Sequence, residues 1–235
     1  MNLLDVKIDQ AGYESGKPVI NDIKFDLNPG EMVGVIGPNG AGKSTTIKTI
    51  LGLIENWKGR VAFSEKSRYS YIPERPIFYD ELTFKEHIDF IGAVEGIEDS
   101  ILEARAAEYL KTFQMDGHIH EMMTTYSKGM QQKALLILAL ITKPEVYIID
   151  EPFIGLDPDA MKILLSFLEK EQLRGAGILM STHVLDTAER VCDRFIMIKN
   201  GQLKADGTLT EIRKQCSMPK ATLYECYHSI AGEQK

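Results

Sequence analysis

The first third of the chain contains alternating or wholly apolar runs that are typical of β-strands. The first two runs are separated by a turn rich in glycine, serine and proline, residues 12–18. The third, EMVGVIG, is apolar and ends in glycine, which predicts a buried strand, and helical periodicity follows from about Lys43. The predicted strands are residues 3–8, 19–27, 31–37, 61–64 and 69–72.

The pattern changes between Pro76 and Lys143, where apolar residues recur at helical spacing between polar interruptions. The predicted helices are residues 83–94, 100–114 and 124–141. The last of these is apolar almost all the way round and follows a Ser-Lys-Gly turn. We interpret this region as a helical insertion.

Beyond Pro144 strands and helices alternate again, which predicts parallel strands joined by helical crossovers. We expect a single domain over residues 1–235, with an α/β core from residues 1–75 and 144–215 and a helical subdomain at about 76–143. Residues 216–235 form a tail with little pattern, and no element is predicted there. The predicted strands are residues 146–150, 177–182 and 194–201, and the predicted helices are 157–173 and 184–192.

Composition narrows the class of protein. The 235 residues include 27 basic and 34 acidic side chains, a net charge of −7, so the chain has no electrostatic footprint for nucleic acid. Three cysteines without C-x-x-C spacing indicate reduced thiols in the cytosol. The N-terminus lacks the apolar core of a signal peptide, and the longest apolar run, residues 134–141, is too short to span a bilayer. We therefore expect no direct membrane insertion; any membrane role would need a partner.

Residues 37–45, GPNGAGKST, match the phosphate-binding pattern G-x-x-x-x-G-K-[ST] between a predicted strand and a predicted helix. The glycines allow backbone N–H groups to face a β-phosphate, Lys43 adds a positive charge for the β- and γ-oxygens, and the Ser44 hydroxyl can bind Mg²⁺. A chance glycine-rich turn is the alternative, and the flanking elements argue against it. The predicted cradle consists of Gly37, Pro38, Asn39, Gly40, Ala41, Gly42, Lys43, Ser44 and Thr45.

A second motif, VYIIDEP at residues 146–152, places two acids at the end of a buried strand. Ligands of open α/β sheets lie at such carboxyl ends. Asp150 is predicted to hold Mg²⁺, and Glu151 to act as the general base for the attacking water. Together the two motifs predict that the chain binds and hydrolyses a nucleoside triphosphate.

Five motifs in order, the cradle, YSKGMQQK, VYIIDEP, GLDP and STH, resemble the nucleotide-binding domain of ABC (ATP-binding cassette) proteins. The resemblance implies an α/β P-loop NTPase core with a mainly parallel sheet, an N-terminal antiparallel β-subdomain and an inserted α-helical subdomain. Within the family the chain looks most like the ATPase subunits of bacterial Ecs-type and multidrug or peptide exporters.

The resemblance implies a head-to-tail dimer that sandwiches two ATP molecules with Mg²⁺. Ser127 and Gly129 would contact the γ-phosphate of the partner's ATP, and Asp157 would lie in the loop that crosses the interface. Ser127 and Asp157 are also plausible as plain helix N-caps. His183 matches the histidine that contacts the γ-phosphate beside Glu151, and with Lys43 it completes the expected catalytic set.

Tyr13 stands where the family places an aromatic ring against adenine, and its alternative is an ordinary surface turn. Glu74 departs from the family's usual glutamine; a carboxylate can still bind the metal, so the expected Mg²⁺ ligands are Ser44, Glu74 and Asp150. Lys128 and Met130 replace the usual glycine and glutamine of the YSKGM segment. Lys128 either adds charge toward the partner's ATP or points into solvent.

The resemblance predicts the ATP-hydrolysing subunit of an ABC transporter, of the exporting kind. Its expected partners are a second copy of itself and an integral membrane permease, which would hold it at the cytoplasmic face of the cell membrane. Phe78 and Tyr79 are candidates for the permease-facing surface, with core packing as the alternative. Two other functions stay open: a lone ABC ATPase that serves iron–sulfur cluster assembly, and a nucleotide switch with negligible turnover.

Overall fold

The computed structural model describes residues 2–65, 67–230 and 232. In this part of the chain one sheet contains nine strands in the order β4-β1-β2-β9-β8-β3-β7-β6-β5. The strands are β1 (Leu4–Gly12), β2 (Ile20–Leu27), β3 (Met32–Ile36), β4 (Asn56–Phe63), β5 (Tyr69–Ile72), β6 (Val146–Asp150), β7 (Gly177–Thr182), β8 (Arg194–Lys199) and β9 (Gln202–Gly207).

The sheet has a parallel and an antiparallel part. Strands β8, β3, β7, β6 and β5 are parallel neighbours, whereas β4, β1 and β2 pair antiparallel. The two parts meet at β9, which is antiparallel to β8 and touches β2 through one parallel pair, Asn21 with Gln202. The alternating N-terminal segments thus form an antiparallel ribbon beside a parallel sheet.

Every residue of β3, β6 and β7 is buried, as expected for parallel strands covered on both faces. Alternate residues of β6 belong to different cores. Val146 and Ile148 pack with α1 (Lys43–Ile50) and the N-terminal ribbon, and Tyr147 and Ile149 pack with the remaining helices. The sheet therefore separates two hydrophobic layers.

The five helices predicted outside the cradle are confirmed, with boundary shifts of at most four residues. They are α2 (Phe84–Glu95), α3 (Asp99–Thr112), α4 (Lys128–Ile141), α5 (Pro158–Leu173) and α6 (Leu185–Val191). A capping box formed by Thr83 and Glu86 starts α2. Helix α4 packs against α2, α3 and β5, which explains why it is apolar almost all the way round.

Four elements differ most from the prediction. Strand β4 begins at Asn56, whereas only residues 61–64 were predicted. Strand β9 was missed; it follows Asn200 and Gly201, whose φ values of 51° and 72° suit a tight hairpin turn. Two further helices, α7 (Leu209–Gln215) and α8 (Leu223–Ile230), were also missed. Helix α8 packs on α6 and α7 and buries Leu223 completely, so part of the tail is ordered.

The three cysteines are free, as their spacing predicted. Over the described ranges, none of the helices is long and apolar enough to cross a bilayer.

Candidate nucleotide-binding site

A cavity of about 370 Å³ lies where β3 and β6 end, at the carboxyl edge of the parallel sheet. Eleven residues predicted for the site line it, together with Val19 and Ile154. The predicted residues are Pro38, Asn39, Gly40, Ala41, Gly42, Lys43, Ser44, Thr45, Glu74, Glu151 and His183.

The cradle's shape depends on its glycines. A Cβ on Gly37 would lie 2.3 Å from the carbonyl oxygen of Ile198, so no larger residue fits there. Gly42 has φ of 111° and forms the N-cap of α1 without a side-chain hydrogen bond. The first N–H groups of α1 are therefore available to an anion.

Lys43 is the buried cation of the site. Its side chain is 6% exposed, and its Nζ donates hydrogen bonds to the carbonyl oxygens of Gly37 (2.9 Å) and Pro38 (3.3 Å). The same Nζ lies 3.3 Å from Oε1 of Glu151. The positive charge predicted for the phosphates is thus present at the base of the cavity.

Asp150 and Ser44 form the candidate Mg²⁺ position, with the Ser44 hydroxyl 3.3 Å from Oδ1 of Asp150. Over the described residues, no group of three or more His, Cys, Asp or Glu side chains could hold a metal by itself. Mg²⁺ commonly takes one or two carboxylates and completes its shell with water and substrate phosphates. The donor set therefore fits Mg²⁺ that is bound together with a phosphate. Glu74, exposed on the cavity wall, is a further oxygen donor.

Glu151 is held in an unusual backbone conformation, with φ of 51°. Its N–H lies 3.1 Å from the hydroxyl and 3.2 Å from the carbonyl oxygen of Ser181. Its Oε2 is 2.8 Å from Nδ1 of His183 and accepts the His183 backbone N–H at 3.3 Å. The carboxylate predicted as general base is therefore buried and oriented by the predicted histidine.

Tyr13 lies outside the residues that line the cavity and is 56% exposed. Its ring faces Nζ of Lys48 at 5.7 Å, so a cation already covers one face. Tyr71, by contrast, is partly buried near the site: burial, then the charges of Asp150 and Glu74, raise its pKa to about 12.

Ser127, Gly129 and Asp157 do not line the cavity either. Ser127 is exposed and caps α4, accepting the Met130 N–H at 3.3 Å. Asp157 caps α5 by accepting the Ala160 N–H at 2.8 Å, a bond that lowers the pKa of Asp157. Both N-cap interpretations are thus correct.

The two caps belong to one surface. Nζ of Lys133, one turn into α4, lies 3.5 Å from Oδ2 of Asp157. Gly129 is also close to the loop that contains Asp157: a Cβ on Gly129 would lie 3.6 Å from the carbonyl oxygen of Gly155. Lys128 is exposed to solvent.

Ser181 was missed by sequence reasoning. It is fully buried, donates a hydrogen bond to Oδ1 of Asp150 and accepts the N–H of Glu151. The signal was the STH motif: its serine is the next-to-last residue of a buried strand, and Asp150 is the last residue of another. Only the pairing of β6 with β7 shows that the two residues are partners.

A phosphate cradle after a buried parallel strand, with two acids at the end of another, defines a P-loop nucleotide-binding domain. The family model described as "ABC transporter" matches residues 20–154, more than half of the chain. The chain therefore belongs to the ABC transporter family, in the class of its ATP-binding subunits.

Full-length relatives agree. YthP of Bacillus subtilis (strain 168), an uncharacterized ABC transporter ATP-binding protein, is 51% identical over 99% of both chains. EcsA of the same organism, an ABC-type transporter ATP-binding protein, is 42% identical over 99% of this chain and 98% of EcsA. A solved structure described as the ATP binding subunit of an ABC transporter superposes with a TM-score of 0.92 and 41% identity, covering 97% of this chain and 99% of that one. The predicted ABC ATPase fold and family are confirmed.

Proposed function

We propose that the chain is an ATPase that dimerises head to tail around two ATP molecules and drives a separate membrane permease, in the direction of export. One observation carries the dimer: the phosphate cradle and the Ser127–Gly129 segment lie at separate places on the same chain. Ser127 and Gly129 lie at an exposed helix N-terminus that can bind an anion, but neither residue lines the cavity of its own chain. A second copy would complete each site.

The site's own residues support hydrolysis. Glu151 would take a proton from water that attacks the γ-phosphate, and the hydrogen bond from His183 fixes its carboxylate. Lys43 would exchange its carbonyl partners for phosphate oxygens. Asp150 and Ser44 would hold Mg²⁺, which neutralises charge on the phosphates. Glu74 would lie near the same phosphates, where its charge tunes metal affinity.

An exposed apolar surface supports the permease contact. Ile77 is 81% exposed, Tyr79 57%, Phe90 46% and Val94 67%, and the last two are one turn apart on α2, so they share a face. Tyr79 and Phe90 also touch edge to face, with ring centroids 5.5 Å apart. Phe78 packs inward against His87 instead. We therefore place Tyr79 on the docking surface and Phe78 beneath it, and we place the protein at the cytoplasmic face of the membrane through this contact.

We assign the export direction from the resemblance of the chain to exporter ATPases. Tyr13 is proposed to stack on adenine, which requires Lys48 to leave its ring face.

The test uses Glu151→Gln with ATP and Mg²⁺ and measures mass by light scattering. Removing the base should trap ATP, so the 26.4 kDa chain should double in mass only when ATP is present. Adding Ser127→Arg should restore the monomer, because a bulky cation would fill the γ-phosphate position. Ser100→Arg, at an exposed site near the start of α3, is the matched control and should leave the dimer intact. A Glu151→Gln protein that binds ATP yet stays monomeric would contradict the proposed self-association.

A further inference from the structure

We propose that Ser181 is a positioning residue that holds the Mg²⁺ ligand Asp150 and the general base Glu151 in one fixed arrangement. The inference rests on the proposed ATP hydrolysis at this site and adds a residue to it. Ser181 itself would touch neither water nor phosphate.

The sheet register brings the three residues together. Strands β6 and β7 are parallel, and their register pairs Asp150 with Ser181. Paired residues of neighbouring strands project from the same face, so the hydroxyl meets the carboxylate directly. The next residue, Glu151, continues the ladder, because its N–H lies 3.2 Å from the Ser181 carbonyl oxygen.

The Ser181 hydroxyl uses both of its hydrogen-bonding functions. It donates to Oδ1 of Asp150 and, at 3.1 Å, accepts the N–H of Glu151. A hydroxyl can do both at once, whereas an alanine side chain can do neither. Because Ser181 is fully buried, water cannot readily replace either bond.

The second bond supports a strained residue. Glu151 has φ of 51°, a left-handed conformation that costs a non-glycine residue free energy and persists only when its surroundings hold it. The Ser181 carbonyl and hydroxyl both face its N–H, and the His183 backbone N–H and ring hold its carboxylate. Loss of the Ser181 hydroxyl would therefore remove one of the two acceptors that hold the backbone N–H of Glu151.

The first bond fixes the metal ligand. Oδ1 of Asp150 is shared by the hydroxyls of Ser44 and Ser181, so the carboxylate is restrained from both sides. Residues that orient a metal ligand typically contribute 10- to 100-fold in metal affinity or activity. The hydroxyl oxygen of Ser181 thus connects the proposed metal ligand Asp150 to the proposed base Glu151.

The test compares Ser181→Ala and Ser181→Thr with wild type. Mn²⁺ is the metal probe: its binding with a non-hydrolysable ATP analogue is followed by the loss of the free Mn²⁺ paramagnetic signal. We expect Ser181→Ala to bind Mn²⁺ about 10-fold more weakly and to lower kcat about 10- to 100-fold. Binding of the analogue without metal should change less than about twofold, since the cradle is untouched. Ser181→Thr keeps the hydroxyl and should stay near wild type in both measurements.

Ser64→Ala is the control, because it removes a serine hydroxyl that bonds to Ser67 next to β4, the opposite edge strand of the sheet. Wild-type Mn²⁺ affinity in Ser181→Ala would overturn the inference. If Ser181→Ala does not fold, Ser181→Val replaces it, because valine has the shape of the threonine variant without a hydroxyl; wild-type affinity there would overturn the inference equally. The Mn²⁺ measurement needs no turnover. A wild-type protein that binds Mn²⁺ with the analogue but hydrolyses no ATP would therefore contradict the proposed function alone.

Discussion

The ammonium group of Lys43 lies 3.3 Å from Oε1 of Glu151, and the two side chains are only 6% and 8% exposed. The contact is an ion pair without hydrogen-bond geometry, since this oxygen accepts no hydrogen bond from any described residue. The cradle's charge is thus balanced by the base that would act on its substrate. If a phosphate replaced Glu151 as the partner of Lys43, the carboxylate would be free to bind water, and substrate binding would then be coupled to activation of the proposed base.

Lys43→Ala should weaken ATP binding by about 10- to 100-fold, the range expected when charged hydrogen bonds are lost. Isothermal titration calorimetry with ATP measures this directly. Lys24→Ala, at an exposed position of β2, is the matched control and should bind like wild type. Equal affinities for Lys43→Ala and Lys24→Ala would show that Lys43 does not contact the phosphates.

His183→Ala should lower kcat about 100-fold, because the Glu151 carboxylate loses the imidazole that orients it. ATP affinity should change less than about threefold, since the cradle remains. Steady-state ATPase assays separate kcat from KM. His120→Ala, an exposed histidine, should behave as wild type. An unchanged kcat in His183→Ala would exclude this orienting role.

Arg174→Ala should destabilise the fold by about 2 kcal/mol, below the 3–5 kcal/mol of a fully buried pair because Arg174 is 36% exposed. Its guanidinium pairs with Glu171, which is 7% exposed and also accepts the Tyr147 hydroxyl at 3.1 Å. The variant leaves that carboxylate buried without its cation. Urea unfolding measures the loss, and Arg190→Ala should cost less than about 0.5 kcal/mol.

Stability should fall as pH rises from about 10 toward 12. Burial is the main cause that raises the pKa of Tyr71, Tyr109 and Tyr126 to about 12, against an ordinary value of 10.0. Between those values the unfolded chain loses protons that the folded chain keeps, so unfolding becomes more favourable. Below pH 10 the stabilisation from these protonated tyrosines is fully present.

Tyr126→Phe tests the pH effect. At pH 8 it should cost about 1 kcal/mol, because the Tyr126 hydroxyl donates to the His118 carbonyl at 2.7 Å. The difference from wild type should shrink above pH 10, which urea unfolding at pH 8, 10 and 11 can measure. Tyr69→Phe, an exposed tyrosine, serves as the control at pH 8. A difference that is constant with pH would show that Tyr126 ionises normally.

Local pattern determined much of this protein. The strand–turn–helix around Lys43 and the acids after residues 146–149 follow from short-range chemistry: glycine conformations, apolar runs and caps that act over a few residues. The same holds for Ser127 and Asp157, whose side chains cap the helices that follow them. Such features could be predicted because each depends on its own segment.

Tertiary structure decided what those segments meet. The Asn200–Gly201 turn is a local signal for strand β9, but nothing local indicates that β9 lies between β8 and β2 in the sheet. Helix α8 is only eight residues long; Leu223, Cys226, Tyr227 and Ile230 have helical spacing, but so short a helix is ordered because Leu223 and Cys226 are buried against neighbouring elements.

Ser181 shows the limit most clearly. Ser181 lies 31 positions after Asp150 in the sequence, and a serine next to the end of a buried strand gives by itself no reason to pair it with that carboxylate. The choice of β7 as the neighbour of β6, and the register of that pair, place its hydroxyl between a carboxylate and a backbone N–H. The chemistry of a motif is local and can be predicted from the sequence. Which residues of different motifs contact one another depends on long-range strand pairing, which only the folded sheet fixes.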